Sequence, residues 1–130
     1  MVIDTSAIAA ILFAEGDAER YAEVIAGDQI RLVSAGTVLE CSLVVEGELG
    51  EEGGRELDLL VLRAGIETIA FSADQLSIAR HAFRTFGKGR HPAGLNYGDC
   101  FSYALSKSSG EPLLFKGADF SKTDVRPVLF

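Results

Sequence analysis

The stretch Val2-Ile3-Asp4-Thr5-Ser6-Ala7-Ile8-Ala9-Ala10-Ile11-Leu12-Phe13 sets the terms for the whole chain. Two apolar residues make a brief strand. Asp4-Thr5-Ser6 then offers short polar side chains suited to a helix N-cap, and Ala7 to Phe13 reads as a helix stopped near Gly16. The same alternation continues outward. Asp17 caps a helix through Ile25, with Gly27 beyond it, and Ile30 to Val33 is a strand. Gly36-Thr37 opens a helix to about Leu49, and Glu51 to Ala64 forms another, with Gly65 where a left-handed end is required. Ile66 to Phe71 is a strand, Ser72 to Phe86 a helix, and Gly87 to Leu95 a loop. Asn96 caps a helix from Tyr97 to Ser108, Pro112 to Phe115 is a buried-type strand, and Val125 to Phe130 a terminal one. About five strands separated by helices predict an α/β protein with a mostly parallel sheet covered on both faces.

The 130 residues, 48% hydrophobic and 24% charged, suit one domain spanning 1–130 with its own core. The longest apolar run, Ala7–Ala14, is far short of the roughly 20 residues a membrane helix needs. No basic residue precedes it, the first being Arg20, which argues against a secretory leader. Cys41 and Cys100 lie far apart without metal-type spacing, so neither a disulfide framework nor a zinc site is indicated. A cytoplasmic protein with no membrane association is expected.

The net charge of −7 argues against indiscriminate coating of nucleic acid. It is also uneven. Residues 1–79 carry fifteen acids and four bases, whereas residues 80–130 carry four acids and eight bases, which suggests a locally basic surface on an acidic body.

Four acids stand at informative positions. In an open parallel sheet, ligands bind beyond the carboxyl ends of the strands. Asp4 falls at such an end, Asp119 follows the fourth strand, and Asp99 lies in the first turn of the helix that feeds it. Glu40 is early in an apolar helix, with Leu43, Val44 and Gly47 at i+3, i+4 and i+7, a face expected to be buried. Each acid alone also suits a structural role: Asp4 as a cap, Asp99 in a capping box after Asn96, Asp119 in a turn, Glu40 neutral or snorkelling. Together they are costly. Two negative charges about 4 Å apart repel by about 4 kcal/mol at an effective dielectric of 20, so a cluster calls for a cation or raised pKa values. Oxygen-only ligands select hard ions, Mg²⁺ or Mn²⁺, and such ions handle phosphate chemistry.

The segments Val2-Ile3-Asp4-Thr5-Ser6-Ala7, Ser34-Ala35-Gly36-Thr37-Val38-Leu39-Glu40, Asn96-Tyr97-Gly98-Asp99-Cys100-Phe101-Ser102-Tyr103-Ala104 and Leu113-Leu114-Phe115-Lys116-Gly117-Ala118-Asp119-Phe120, in this order, resemble the PIN-domain ribonucleases. They look most like the VapC toxins of bacterial type II toxin–antitoxin pairs. The resemblance covers essentially the whole chain and implies a three-layer α/β/α sandwich with metal-dependent endoribonuclease activity. It maps an acidic quartet onto Asp4, Glu40, Asp99 and Asp119, with Asp4 and Asp99 as direct Mg²⁺ ligands (Mn²⁺ as substitute). Glu40 then helps bind the metal or orient its water, and Asp119 completes the site. Thr5 or Ser6 hydrogen-bonds the first carboxylate or the scissile phosphate. A metal-activated water attacks an RNA phosphodiester in line, leaving a 5′-phosphate and a 3′-hydroxyl. The family further implies a VapB-like antitoxin that blocks the cleft and binds operator DNA, and a homodimer.

Lys88, Arg90 and Lys116 are candidates for contact with RNA phosphates, with a solvated-surface role equally open. His81 and His91 read as packing or surface residues, Cys41 and Cys100 as buried packing, Tyr97 and Tyr103 as core, and Asp124 as structural. A phosphoacceptor receiver is disfavoured, since Thr5-Ser6 and not a second acid follows Asp4; a phosphatase with an Asp-x-Asp motif fails because Ser6 stands at its second Asp. The remaining alternative is a catalytically weak PIN-like module that binds RNA or protein.

Overall fold

The computed structural model describes residues 1–130. Its elements are β1 (Val2–Ile3), α1 (Thr5–Leu12), α2 (Ala18–Ala26), β2 (Leu32–Ser34), α3 (Ala35–Leu49), α4 (Glu51–Arg63), β3 (Glu67–Ile69), α5 (Ala73–Phe86), α6 (Tyr97–Ser109) and β4 (Leu113–Leu114), followed by a 3-10 turn at Phe120–Lys122. The strands form one parallel sheet in the order β3-β2-β1-β4. Val2 pairs with both Leu32 and Leu113, so β1 is central.

Alternation along these short strands builds the layers. Ile3, Val33 and Leu114 face a core shared with Ala7, Ile8, Ile25, Cys41, Val45 and Leu57 from α1–α4. Val2 and Leu113 face the opposite core, with Ala82 and Tyr103 of α5 and α6. Successive strand residues point to opposite sides, and both sides of β1 and β4 are buried, so these two strands read as continuous apolar runs. The result is the expected α/β/α sandwich.

The fifth strand shrinks to a single bridge between Leu113 and Pro127. Leu113 N donates to Arg126 O at 2.8 Å and Val128 N donates to Leu113 O at 2.9 Å. These two bonds are the whole of the pairing, and the sheet has four strands. Gly65 has φ 61° beyond α4, the left-handed conformation expected of it.

The connections β1→β2 and β2→β3 carry α1–α4, while β3→β4 carries α5 and α6. Strand order therefore reverses next to β1, and Asp4, directly after β1, lies at that switch point.

Candidate active site

Asp4 caps α1 and is only 3% exposed. Both its oxygens are engaged. Oδ2 accepts from Ser6 N at 3.0 Å and Ser6 Oγ at 2.7 Å, and Oδ1 accepts from Ser102 Oγ at 2.6 Å. Ser6 Oγ in turn accepts from Lys116 N at 2.9 Å, which ties the chain after β4 to the first acid. Asp99 completes a capping box at the start of α6: Asp99 N donates to Asn96 Oδ1 at 2.9 Å, and Asn96 N donates to Asp99 Oδ2 at 3.0 Å.

Glu40 is half-buried, but not through the stripe expected of it. Leu43 and Val44 are 67% and 41% exposed, while Thr37, Cys41 and Val45 form the buried face of α3. Apolar residues surround most of this helix, so its pattern does not single out one face. Glu40 is instead enclosed by two neighbours. Thr5 Oγ1 donates to its Oε1 at 2.5 Å, and Gly98 sits against its carboxylate, where a β-carbon would stand 1.5 Å from Oε2.

Burial pushes the Asp99 carboxyl up to about 6, the negative charges of Asp4, Glu40 and Asp119 push the same way, and the bond from Asn96 N opposes them. Asp99 thus feels the charge of all three other acids, although Asp119 is exposed. No three His, Cys, Asp or Glu side chains yet close around a metal-sized point. In the arrangement present, mutual repulsion is relieved by hydroxyl and amide donors on Asp4, Glu40 and Asp99. This donor set, all oxygen, with the Asp99 carboxyl pushed up by burial and neighbouring charge, fits a hard divalent cation. No histidine or cysteine belongs to it. Burial drives the Cys41 thiol up to about 12 and the Cys100 thiol up to about 11, which leaves both inert as nucleophiles at neutral pH.

The remaining candidates separate clearly. Lys116 Nζ is ion-paired with Glu15 and lies 2.9 Å from Asp17 Oδ1, and these hydrogen bonds raise its pKa. Lys88 and Arg90 are exposed on the loop after α5, with the Arg90 guanidinium 5.7 Å from the Phe83 ring centroid. His91 packs edge-on against Phe86 and its Nδ1 accepts from Ala93 N, while His81 is exposed near Thr85. Asp124 accepts from Tyr103 Oη at 2.8 Å and pairs with Lys107 at 3.1 Å, a structural placement. Tyr103 is buried, whereas Tyr97, expected in the core, is 80% exposed and leans on Phe101. Tyr97 rims an apolar groove of about 590 Å³ between α5 and α6, also lined by Leu76, Phe83 and Phe101.

Sequence reasoning missed Ser102 and Gly98. Both lie beside Asp99 in one motif: Ser102 is one helical turn further along and Gly98 immediately precedes it.

Comparison with known proteins matches residues 1–126 to the PIN domain family. The chain is 59% identical to Ribonuclease VapC30 of Mycobacterium tuberculosis over 98% of each chain. It is 57% identical to Ribonuclease VapC of Mycolicibacterium smegmatis, covering 98% of this chain and 99% of that one. Among solved structures, the sarcin-ricin loop-cleaving toxin VapC20 of Mycobacterium tuberculosis superposes with a TM-score of 0.80, at 16% identity over 98% of this chain and 97% of that one. VapBC2 of Rickettsia felis, solved bound to a promoter DNA fragment, superposes with a TM-score of 0.75 at 15% identity, covering 98% and 96%. At these identities the two superpositions speak for the fold. No helix here is long and apolar enough to cross a membrane.

Proposed function

This chain belongs to the PIN-domain VapC ribonucleases, and on that footing we propose that Asp4, Glu40, Asp99 and Asp119 form a Mg²⁺ centre for RNA phosphodiester hydrolysis. The observation that carries this reading is the geometry joining three of these acids: Glu40 accepts from Thr5, next to Asp4, and lies against Gly98, next to Asp99, whose carboxyl is pushed up by burial and by the charges of the other three acids. An acid that feels three other carboxylates beside a sheet switch point favours cation binding over a purely structural use.

When bound, a divalent cation neutralises the carboxylates, polarises a phosphoryl oxygen and lowers the pKa of water. Asp4 and Asp99 are the direct ligands in this proposal. Asp4 is held at both oxygens by the Ser6 and Ser102 hydroxyls. The Thr5 bond and the Gly98 backbone together keep the Glu40 carboxylate facing the cleft. Asp119, exposed on the turn after β4, completes the site from the solvent side in this proposal. Lys88 and Arg90 provide the phosphate contacts, since the Lys116 ammonium is already held by two carboxylates.

As the toxin of a type II pair, the protein is expected to be inhibited by a VapB-like antitoxin. It is further expected to be a homodimer, for which the exposed Leu39, Leu43, Leu76 and Tyr97 supply apolar surface. The decisive experiment incubates purified protein with structured RNA, with Mg²⁺ and then with EDTA, and examines product ends. Cleavage that requires Mg²⁺, leaves 5′-phosphates, and disappears in Asp4→Asn and Asp99→Asn supports the assignment. Undiminished cleavage by both variants refutes it. A protein that binds RNA with no cleavage under any divalent cation is the weak binding module instead.

A further inference from the structure

Ser102 is a serine in the middle of a helix with 0% exposure. Such residues ordinarily turn their hydroxyl back onto a main-chain carbonyl of their own helix. Ser42, Ser108 and Ser109 do so, bonding Val38 O, Leu105 O and Leu105 O, while Ser106 bonds Glu111 O just beyond the helix end. Ser102 does not. Its Oγ points to Asp4 Oδ1 at 2.6 Å, and on its other side lies Thr37 Oγ1 at 3.3 Å, itself 0% exposed.

The direction of this chain follows from donor counting. An ionised carboxylate only accepts, so the single Ser102 proton goes to Asp4, and the Thr37 contact is made only if Thr37 donates to Ser102. A continuous line of hydroxyls thus runs from α3 through α6 to the end of β1. Its far end grips one oxygen of Asp4 while Ser6 grips the other. The carboxylate plane is held from both sides, by elements that also carry Glu40 and Asp99.

We propose that Thr37 and Ser102 form a buried positioning relay, oriented Thr37→Ser102→Asp4, that pre-sets the Asp4 carboxylate for the divalent cation. The proposal rests on the reading of Asp4 as a metal ligand. Partners behind ligating carboxylates typically change metal affinity by about 10–100-fold. Alanine would be the better helix former at position 102 and would fit the space, so the hydroxyl is retained against local preference.

The test is Mn²⁺ binding by purified full-length protein, with free ion followed by electron paramagnetic resonance, alongside thermal melts and RNA cleavage. The variants are Ser102→Ala, the near-isosteric Thr37→Val, their double mutant, Asp4→Asn, and, as a control on the same helix, Ser106→Ala, whose hydroxyl bonds Glu111 O beyond the helix end. The expected result is Mn²⁺ binding weakened about tenfold in Ser102→Ala, less in Thr37→Val, and in the double mutant no more than in Ser102→Ala, with Ser106→Ala as wild type. Wild-type affinity in Ser102→Ala, while Asp4→Asn loses binding, overturns the relay alone. Should Ser102→Ala fail to fold, Thr37→Val decides: unchanged Mn²⁺ affinity there overturns the relay. Undiminished Mn²⁺ binding by Asp4→Asn overturns the underlying site reading, and the relay with it.

Discussion

Gly98 and Glu40 are packed so closely that a β-carbon on the glycine would lie 1.5 Å from the Glu40 Oε2 atom. Gly98 is buried in the first turn of α6, and its backbone is helical, so glycine is not there for its freedom of φ. It is there for space. A carboxylate from α3 occupies the volume where every other residue type carries its side chain.

Gly98→Ala should gain up to about 1 kcal/mol in helix propensity and still impair the enzyme. The Glu40 side chain is long enough to swing away, leaving Thr5 without its acceptor. We expect the melting temperature to hold within a few degrees while RNA cleavage falls about tenfold or more. Unaltered cleavage by this variant would remove Glu40 from the active constellation.

The raised Asp99 carboxyl has a defined pH signature. Its folded value is about 6 against 3.8 for the free residue, so between these values the folded state binds more protons than the unfolded one. This contribution to stability is full below about pH 4 and is lost as pH rises through about 6. Asp99→Asn removes that dependence. The metal-free variant should be more stable than wild type at pH 7.5, by on the order of 1–2 kcal/mol after screening at a half-buried site, with the advantage fading toward pH 4.5. Denaturant melts at several pH values in EDTA test this, and a constant difference across the range would contradict it.

Cation binding should reverse the same penalty. At a hundredfold excess over Kd, a ligand that binds only the folded state adds about 2.7 kcal/mol, or several degrees in melting temperature for a domain of this size. Mg²⁺ or Mn²⁺ should therefore raise the melting temperature of wild type at pH 7.5 and leave Asp4→Asn unmoved. Identical shifts in both proteins would indicate that ions bind elsewhere.

The basic residues should differ from one another. Arg90→Ala is expected to raise KM for RNA and flatten its salt dependence by about one unit of log–log slope. Lys116→Ala should affect KM less, because Glu15 and Asp17 already neutralise that ammonium. The main-chain N–H of residue 116, which donates to the Ser6 hydroxyl, is kept in this variant, so only the pairing with Glu15 and Asp17 is lost. Equal effects of the two variants on the salt slope would contradict this ranking.

Where local pattern coincides with tertiary environment, the sequence alone was enough. Val2-Ile3 and Leu113-Leu114 are doubly apolar because they are buried on both sides of a parallel sheet. The Asn96–Asp99 capping box and the left-handed Gly65 follow from chemistry within a few residues, and so could be read directly. The order of the four acidic segments likewise pointed to the family.

Tertiary structure decided what lies between segments. Leu43 and Cys41 are both apolar residues of α3, yet only packing against the sheet determined that Cys41 goes in and Leu43 stays out. Tyr97 was likewise placed outside by the groove between α5 and α6. The expected fifth strand pairs with Leu113 only through the residues flanking Pro127, an extent that only the docked chain shows. Ser102 and Asp4 are 98 residues apart, and no periodicity links them. Spacing reports the contacts a residue makes with its own helix or strand, whereas the gap between Gly98 and Glu40 and the hydroxyl line to Asp4 exist only after separate elements have docked.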